Sequence, residues 1–166
     1  MVGLWPTTTT ASPRRTRPRL SPTSTTAIKL LELARQRLGE DAALRQAGLG
    51  GVPLPFPDGA FDDAIACLVL HCLEDCSAPL AELRRVLAPG GRLIVAVNHP
   101  FVYRLQHPHA DYFATSKWSE EYTFSGRSAT LTYWHRPLHA MTGAFTEAGF
   151  RRAVVSEPPP HQAPAS

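Results

Sequence analysis

Two apolar segments decide the fold of this chain: Ala64-Ile-Ala-Cys-Leu-Val-Leu70 and Arg92-Leu-Ile-Val-Ala-Val-Asn98. Each is an apolar run of strand length without alternation, which is typical of a strand covered on both faces in a parallel sheet. Between them, three leucines in residues 80–87 recur at helical spacing, and a Pro-Gly-Gly sequence ends the helix. The sequence therefore predicts a right-handed βαβ unit in an α/β fold.

Weaker patterns surround this unit. We predict an amphipathic helix over 28–38, a short strand over 42–47, a loop over 48–59, a strand over 130–135, a helix over 138–148 and a strand over 151–156. Most of the chain between Pro100 and residue 130 reads as aromatic and irregular. The predicted organisation is a low-complexity tail at 1–26, one domain at 27–160 and a disordered end at 161–166.

Composition bounds the class of protein. A chain of 166 residues and 18.2 kDa can bury one core, and 43% apolar with 19% charged residues is globular composition. No apolar run approaches the roughly 18 residues of a membrane span. The three cysteines fall within ten positions, which is not a disulfide framework. These features predict a soluble protein of the reducing cytoplasm.

The net charge of +3 is concentrated in the first 26 residues, which hold four arginines and no acidic residue. The remainder is close to neutral, so we expect no broad basic face and no nucleic-acid partner. The same segment has no apolar stretch for a secretory signal, and its prolines oppose the amphipathic helix of an organelle transit peptide. A solvated leader is the favoured interpretation of this tail.

Three segments are similar in order and spacing to the class I S-adenosylmethionine-dependent methyltransferases of small-molecule type. They are Leu54-Pro-Phe-Pro-Asp-Gly-Ala-Phe-Asp62, the apolar run that ends in Leu70-His71, and Leu83-Arg-Arg-Val-Leu-Ala-Pro-Gly-Gly91 followed by the second run. Tyr133-Trp-His-Arg-Pro-Leu-His-Ala-Met141 and Glu147-Ala-Gly-Phe150 resemble the C-terminal part of the family. The resemblance implies a Rossmann-like sheet, S-adenosyl-L-methionine as cofactor and a small-molecule acceptor as partner.

The resemblance also implies where the cofactor lies. The strand end at Cys67 and Leu68 passes beside the methionyl part in the family, and the loop at Gly48 and Leu49 passes beside the adenine. Ligands of open α/β sheets sit outside the carboxyl ends of the strands, so both apolar runs end at the ligand.

Three candidate catalytic residues follow the two apolar runs: His71 after the first, and His99 and Tyr103 after the second, where the family places its acceptor. A histidine there can act as general base. His71 is equally well explained as a structural histidine that caps the sheet. Aromatic residues farther on are expected either to line an apolar acceptor pocket or to form a small core of their own: Tyr112, Trp118, Tyr122 and Phe124.

The cysteines and His71 raise the question of a zinc site. Cys67 lies inside an apolar strand, and its spacing to Cys72 and Cys76 lacks the Cys-x-x-Cys turn of tetrahedral sites. We therefore expect no metal.

Two features of the resembled family are missing. The family opens with a strand and a Gly-rich turn of GxGxG type, followed by an acidic residue for the ribose, and none of these precedes Ile28. The expectation is an incomplete sheet with two unpaired edges in an N-terminally truncated chain. The two functions that follow are a methyltransferase impaired by truncation, or a non-catalytic remnant or binding module that a partner chain completes.

Overall fold

The structure is a computed structural model that describes residues 2–6, 19–21, 25–38, 44–49, 53–124 and 127–157. The main sheet contains β1 (Val2–Pro6), β2 (Arg19–Ser21), β3 (Leu44–Gln46), β4 (Phe61–Cys67) and β5 (Leu87–Ala96). The helices are α1 (Thr25–Leu38), α2 (Ser77–Val86), α3 (Phe101–Gln106) and α4 (Leu138–Glu147). A separate hairpin consists of β6 (Ser116–Phe124) and β7 (Arg127–His135). In the parts of the chain described, no helix has both the length and the apolarity to cross a membrane.

The strand order of the main sheet is β3–β2–β1–β4–β5. β4 and β5 run parallel and α2 connects them, which confirms the predicted βαβ unit. β5 begins at Leu87 rather than at Arg92 and includes the Pro-Gly-Gly sequence. A Cβ on Gly91 would lie 2.9 Å from the carbonyl oxygens of Ala88 and Asp62. Only glycine therefore allows the strand to pass at this point.

The core lies between α2 and one face of the sheet. Leu80, Leu83 and Val86 of α2 are fully buried, and they belong to the same buried cluster as Ala64 and Ala66 of β4. Both alanines are fully buried in this cluster. This packing is the main hydrophobic contribution to the stability of the βαβ unit.

The opposite face of the βαβ sheet is more open than the sequence predicts. Ile65 is half-buried there, and the side chain of Ile94 is 53% exposed. The expectation that both faces are covered is wrong for this face, because α1 packs against β2 and β3 at the far side of the sheet.

The predicted tail contains two of the strands. β1 pairs antiparallel with β4, with Gly3 opposite Ile65, and β2 pairs with β1 and β3. The expectation of no regular structure before residue 27 is therefore wrong at Val2–Pro6 and Arg19–Ser21. The expectation of an unpaired edge beside β4 is also wrong, because the short apolar strand β1 pairs with it. Other parts of 1–26, and all of 161–166, lie outside the described residues, so the division into tails and domain stays a prediction.

The second half of the chain contains elements that were not predicted and lacks one that was. The segment after Pro100, expected to be irregular, holds α3 and the first strand of the hairpin. The strand expected over 151–156 is absent, and Val154 is 82% exposed. A strand requires a neighbour, and the described part of the main sheet ends at β5 without pairing to this segment.

Candidate cofactor and acceptor site

β4 and β5 end together at one edge of the sheet because they are parallel. The N–H of Leu68, the first residue after β4, donates to the carbonyl of Ala96 at the end of β5, at 2.8 Å. Leu68 has φ 52°, and it is the only non-glycine residue of the described chain with positive φ. Its side chain is 56% exposed, and Cys67 is also exposed, although Ala66 and Val69 on either side are buried. The sequence predicts a strand to Leu70, but this left-handed residue ends it early.

His71 lies in a 3₁₀ turn, Leu70–Cys72, directly after this bend. The ring is 7% exposed and lies 5.3 Å from the ring of Tyr133. Its Nδ1 accepts a long hydrogen bond of 3.5 Å from the N–H of Asn98, which links the ends of the two strands. Burial lowers the pKa of His71 below its ordinary value, so the ring is neutral at pH 7.

His99 is the more accessible of the two histidines. Its Nδ1 accepts the N–H of Phe101 at 3.1 Å, and its Nε2 lies 2.8 Å from a carboxylate oxygen of Glu157. The side chain is 43% exposed, and that of Glu157 is 64% exposed. With Nδ1 accepting, the neutral ring carries its proton on Nε2 and donates it to Glu157. The pair stands just beyond the end of β5, beside α3.

Tyr103 is 9% exposed and packs inside a group of aromatic rings. Its ring stacks on His135 at 4.4 Å, with Trp118 at 4.9 Å and His107 at 4.7 Å between ring centroids. Tyr112 contacts His135 at 5.5 Å. The rings fill the space between α3 and the hairpin. They form a small core of their own, which was the alternative prediction to an acceptor pocket.

Tyr122, another predicted pocket residue, does not join this aromatic group. Tyr122 is 45% exposed on the hairpin, where its hydroxyl donates to Glu120. The side chain of Phe124 lies outside the described residues. The structure therefore does not form an acceptor pocket lined by all four predicted aromatic side chains.

Gly48 and Leu49 follow β3 as predicted, in the loop that the glycines and prolines impose. Gly48 is half-buried, and the Leu49 side chain is 7% exposed and belongs to the same buried cluster as Val69 and Leu70 after β4. The two predicted cofactor segments are thus joined through the core. Only backbone at Gly48 is available to an adenine, since this residue has no side chain.

The cysteines near this edge differ in environment. Cys67 and Cys72 are exposed, whereas Cys76 is buried and its thiol donates to the carbonyl of Leu70 at 3.5 Å. Burial raises the pKa of the Cys76 thiol, which makes it a poor nucleophile. Across the described ranges, no three His, Cys, Asp or Glu side chains are grouped so as to hold a metal ion.

Two residues at the end of β7 were missed as candidates. His135 is 2% exposed; its Nε2 hydrogen-bonds the carbonyl of Tyr112 at 2.7 Å, and its buried Nδ1 has no hydrogen-bond partner among the described residues. Arg136 is 9% exposed and donates to backbone carbonyls of the turn after β4. The available signal was the His-Arg-Pro sequence at 135–137, because charged and polar residues between a strand and a helix rarely become buried without a role.

Comparison with known proteins finds methyltransferases by sequence and by structure. Residues 24–95 match a protein family described as "Methyltransferase domain". The fold is similar to a solved S-adenosylmethionine-dependent methyltransferase from Listeria monocytogenes, with a TM-score of 0.63 at 18% identity over 85% of this chain and 68% of that one. A second such structure, from Methanosarcina mazei, gives a TM-score of 0.58 at 20% identity over 79% and 67% of the two chains.

Residues 24–95 thus resemble a methyltransferase domain, and the fold is that of the class I S-adenosylmethionine-dependent methyltransferases. This confirms the resemblance and the Rossmann-like α/β fold, and it makes S-adenosylmethionine the cofactor of the family. The main sheet described here is small, consistent with an incomplete fold.

Several curated relatives are named as methyltransferases of quinone biosynthesis. A demethylmenaquinone methyltransferase of Thermus thermophilus is 40% identical over 70 residues, which are 42% of this chain and 32% of the relative. The enzyme of the same name from Deinococcus radiodurans is 37% identical over 89 residues, 49% of this chain and 37% of that one. A ubiquinone/menaquinone biosynthesis C-methyltransferase of a Marinomonas species is 28% identical over 136 residues, 70% and 52% of the two chains. The chain thus spans between a third and about half the length of these curated relatives.

The strand ends leave exposed main chain at the edge where the cofactor is expected. Cys67 and Leu68 are exposed between buried neighbours, and Leu68 has positive φ.

Proposed function

We propose that this methyltransferase transfers the methyl group of S-adenosylmethionine to a small aromatic acceptor of the quinol class, in the cytoplasm. The observation that carries the proposal is the shared edge of β4 and β5, where Leu68 and Asn98 are exposed and the Leu68 N–H bonds the Ala96 carbonyl. Ligands of open α/β sheets occupy this edge. The acceptor class is supported by the names of the relatives, which act on quinones.

The cofactor-binding residues of the proposal are Gly48, Leu49, Cys67 and Leu68, through their backbone. When bound, S-adenosylmethionine supplies a methyl group on a sulfonium that leaves as a neutral thioether. The chain then needs only to hold the acceptor in line with that methyl group and to take up one proton. The bond to the acceptor forms as the carbon–sulfur bond breaks, and the sulfur keeps the electron pair.

The three candidate catalytic residues receive different roles. His99 with Glu157 is the exposed polar pair; both ring nitrogens of His99 are already hydrogen-bonded, so we assign the proton of an acceptor hydroxyl to the Glu157 carboxylate that His99 holds in place. His71 is buried and neutral, and its Nδ1 orients the Asn98 N–H, so it acts on the strand end. Tyr103 packs in the aromatic core and fixes α3 beneath the acceptor. Exposed apolar side chains of α3, at Phe101, Val102 and Leu105, offer a surface for an aromatic ring.

The first experiment is a calorimetric titration of S-adenosylhomocysteine into the purified chain, with thermal unfolding of the same sample. Micromolar binding, about −8 kcal/mol, together with cooperative unfolding supports the cofactor half of the proposal. A folded chain that binds nothing at millimolar ligand contradicts it.

The acceptor half is tested by transfer of a labelled methyl group to a quinol, a catechol and an amine. We expect the quinol to be methylated, and His99→Ala to lower kcat roughly a hundredfold. His139→Ala is the matched control, because His139 lies on α4 with its ring 6.3 Å from Phe113, away from the pair. Equal losses in the two variants would exclude the His99–Glu157 pair from the proton transfer.

A binding module completed by another chain is the second candidate function. The observation that favours it is the outer edge of β5, which pairs with no other described strand and lies beside the exposed Ile94. Light scattering decides between the two: a monomer that binds S-adenosylhomocysteine supports the enzyme, and a tight dimer that does not bind it supports the module.

A further inference from the structure

Arg136 connects the hairpin to the turn that follows β4. It lies between the end of β7 and the start of α4, and it is 9% exposed. Its Nη1 donates to the carbonyl of Leu70 at 3.5 Å, and its Nη2 donates to the carbonyls of Leu73 and Glu74. All of these acceptors belong to residues 70–74, so a single guanidinium binds both ends of one turn.

The charge of Arg136 is balanced in an unusual way. Among the residues that the structure describes, Arg136 forms no ion pair with a carboxylate within 4 Å; the pKa of Asp75 is lowered chiefly by hydrogen bonds from Ser77, and the guanidinium adds the smallest effect. Buried guanidinium groups ordinarily pair with acids. Here backbone carbonyls take that place, which requires the turn to hold its carbonyls toward one point.

The same turn carries the two features of the proposed cofactor edge. It begins after Leu68, whose positive φ is unfavourable for a side chain, and it contains His71, which bonds Asn98 of the neighbouring strand end. A residue in such a conformation persists only where the surroundings hold it. Arg136 donates side-chain hydrogen bonds to this segment from an element that is more than 60 residues away in sequence.

We propose that Arg136 is a positioning residue for the cofactor edge. It does not touch the cofactor; it fixes the carbonyls of residues 70–74, and through them the bend at Leu68 and the position of His71. The inference rests on the proposed function, since the edge matters only if the cofactor binds there. It adds a residue from the hairpin side of the molecule to a site otherwise built from β4 and β5.

A purely structural role gives a different result from a positioning role. If Arg136 only contributes to stability, its replacement lowers the midpoint of unfolding but leaves the affinity of the folded protein unchanged. If it positions the edge, affinity falls even where the variant is fully folded. Lysine keeps the charge but has no planar fork of donors, so Arg136→Lys is expected to restore folding better than binding.

The test compares Arg136→Lys and Arg136→Met with Arg92→Met. Arg92 is also an arginine of the βαβ region, but it lies in the middle of β5, four residues before Ala96, with its side chain 75% exposed and paired with Asp63. S-adenosylhomocysteine affinity is measured by calorimetry about 20 °C below the unfolding midpoint of each variant. We expect both Arg136 variants to bind roughly tenfold to a hundredfold more weakly, and Arg92→Met to bind as the parent does.

Hydrogen exchange of the amides in 68–74 is the second readout, and it needs no ligand. Exchange is expected to accelerate in this segment in Arg136→Lys, with no change in Arg92→Met. Unchanged affinity in folded Arg136 variants, or unchanged exchange in 68–74, overturns the inference while the parent's binding leaves the proposed function intact. A parent chain that binds no S-adenosylhomocysteine overturns the proposed function itself and the positioning role with it, and the exchange result then shows whether Arg136 holds the turn.

Discussion

Leu68 carries backbone strain at the edge where the ligand is expected. Its φ of 52° costs an L-residue roughly 1–2 kcal/mol relative to glycine. Its exposed side chain returns little of that energy through packing. The strain is therefore a property of the bend after β4, and it can be separated experimentally from the contacts of the side chain.

The separation uses two substitutions at the same position. Leu68→Ala removes the side chain and keeps the strain, whereas Leu68→Gly removes both. We expect Leu68→Gly to be more stable than Leu68→Ala by about 1 kcal/mol, after the larger entropy of unfolded glycine is included. Urea unfolding of both variants measures the difference. Equal stabilities would mean that the bend relaxes and stores no strain.

His71 gives the chain a dependence of stability on pH. Burial lowers its pKa in the folded state, so the unfolded chain binds the proton more tightly. Stability from this residue is complete above the unfolded pKa of about 6.5 and is lost as the pH falls below it. Urea midpoints between pH 7.5 and 5.5 should therefore fall less steeply in His71→Gln than in the parent. The exposed His109 is the control, and His109→Gln should keep the parent's slope.

At the scale of elements, a polar clamp holds the loop before β4 against α2. Arg85 donates to the carbonyl of Phe56 at 2.9 Å and forms ion pairs with Asp58 at 2.6 Å and with Glu82 at 2.5 Å. Glu82 in turn accepts the N–H of Leu54 at 2.6 Å. The loop has no regular structure of its own because of its prolines and glycines, so these bonds define its path.

Arg85→Met is expected to destabilise the chain by roughly 1–3 kcal/mol, because several partly buried hydrogen bonds to one charged group are lost. Arg92→Met is the matched substitution on an exposed arginine with one ion pair, and a clearly smaller loss is expected there. Chemical unfolding of both variants in parallel checks the comparison. Equal losses would show that the clamp contributes no more than a surface pair.

Across the whole molecule, local patterns were enough to predict the βαβ unit, at whose strand ends the site is proposed. The apolar runs, the leucine spacing and the Pro-Gly-Gly sequence each act within a few residues, and so β4, α2 and β5 could be predicted. Contacts between distant segments could not be. The pairing of β1 with β4, the packing of Tyr103 on His135 and the carbonyl contacts of Arg136 all join residues more than 30 positions apart or depend on the register of two strands. No periodicity encodes such contacts.

The pairing of β1 beside β4 also determines how much of the sheet is closed. β1 lies between β2 and β4 and pairs with both, so the N–H groups of its residues are needed on both sides. Gly3 stands opposite Ile65 on one side and Arg19 on the other. Proline at this position has no N–H and does not fit an interior strand.

Gly3→Pro is therefore expected to destabilise the chain by about 3 kcal/mol and to increase binding of an apolar dye to the uncovered edge of β4. Gly3→Ala keeps the N–H and serves as the control, with a change of less than about 1 kcal/mol. Urea unfolding and dye fluorescence measure the two effects. If both variants match the parent, β1 does not close the sheet, and the edge of β4 is open to a partner strand, which would favour the binding module over the enzyme.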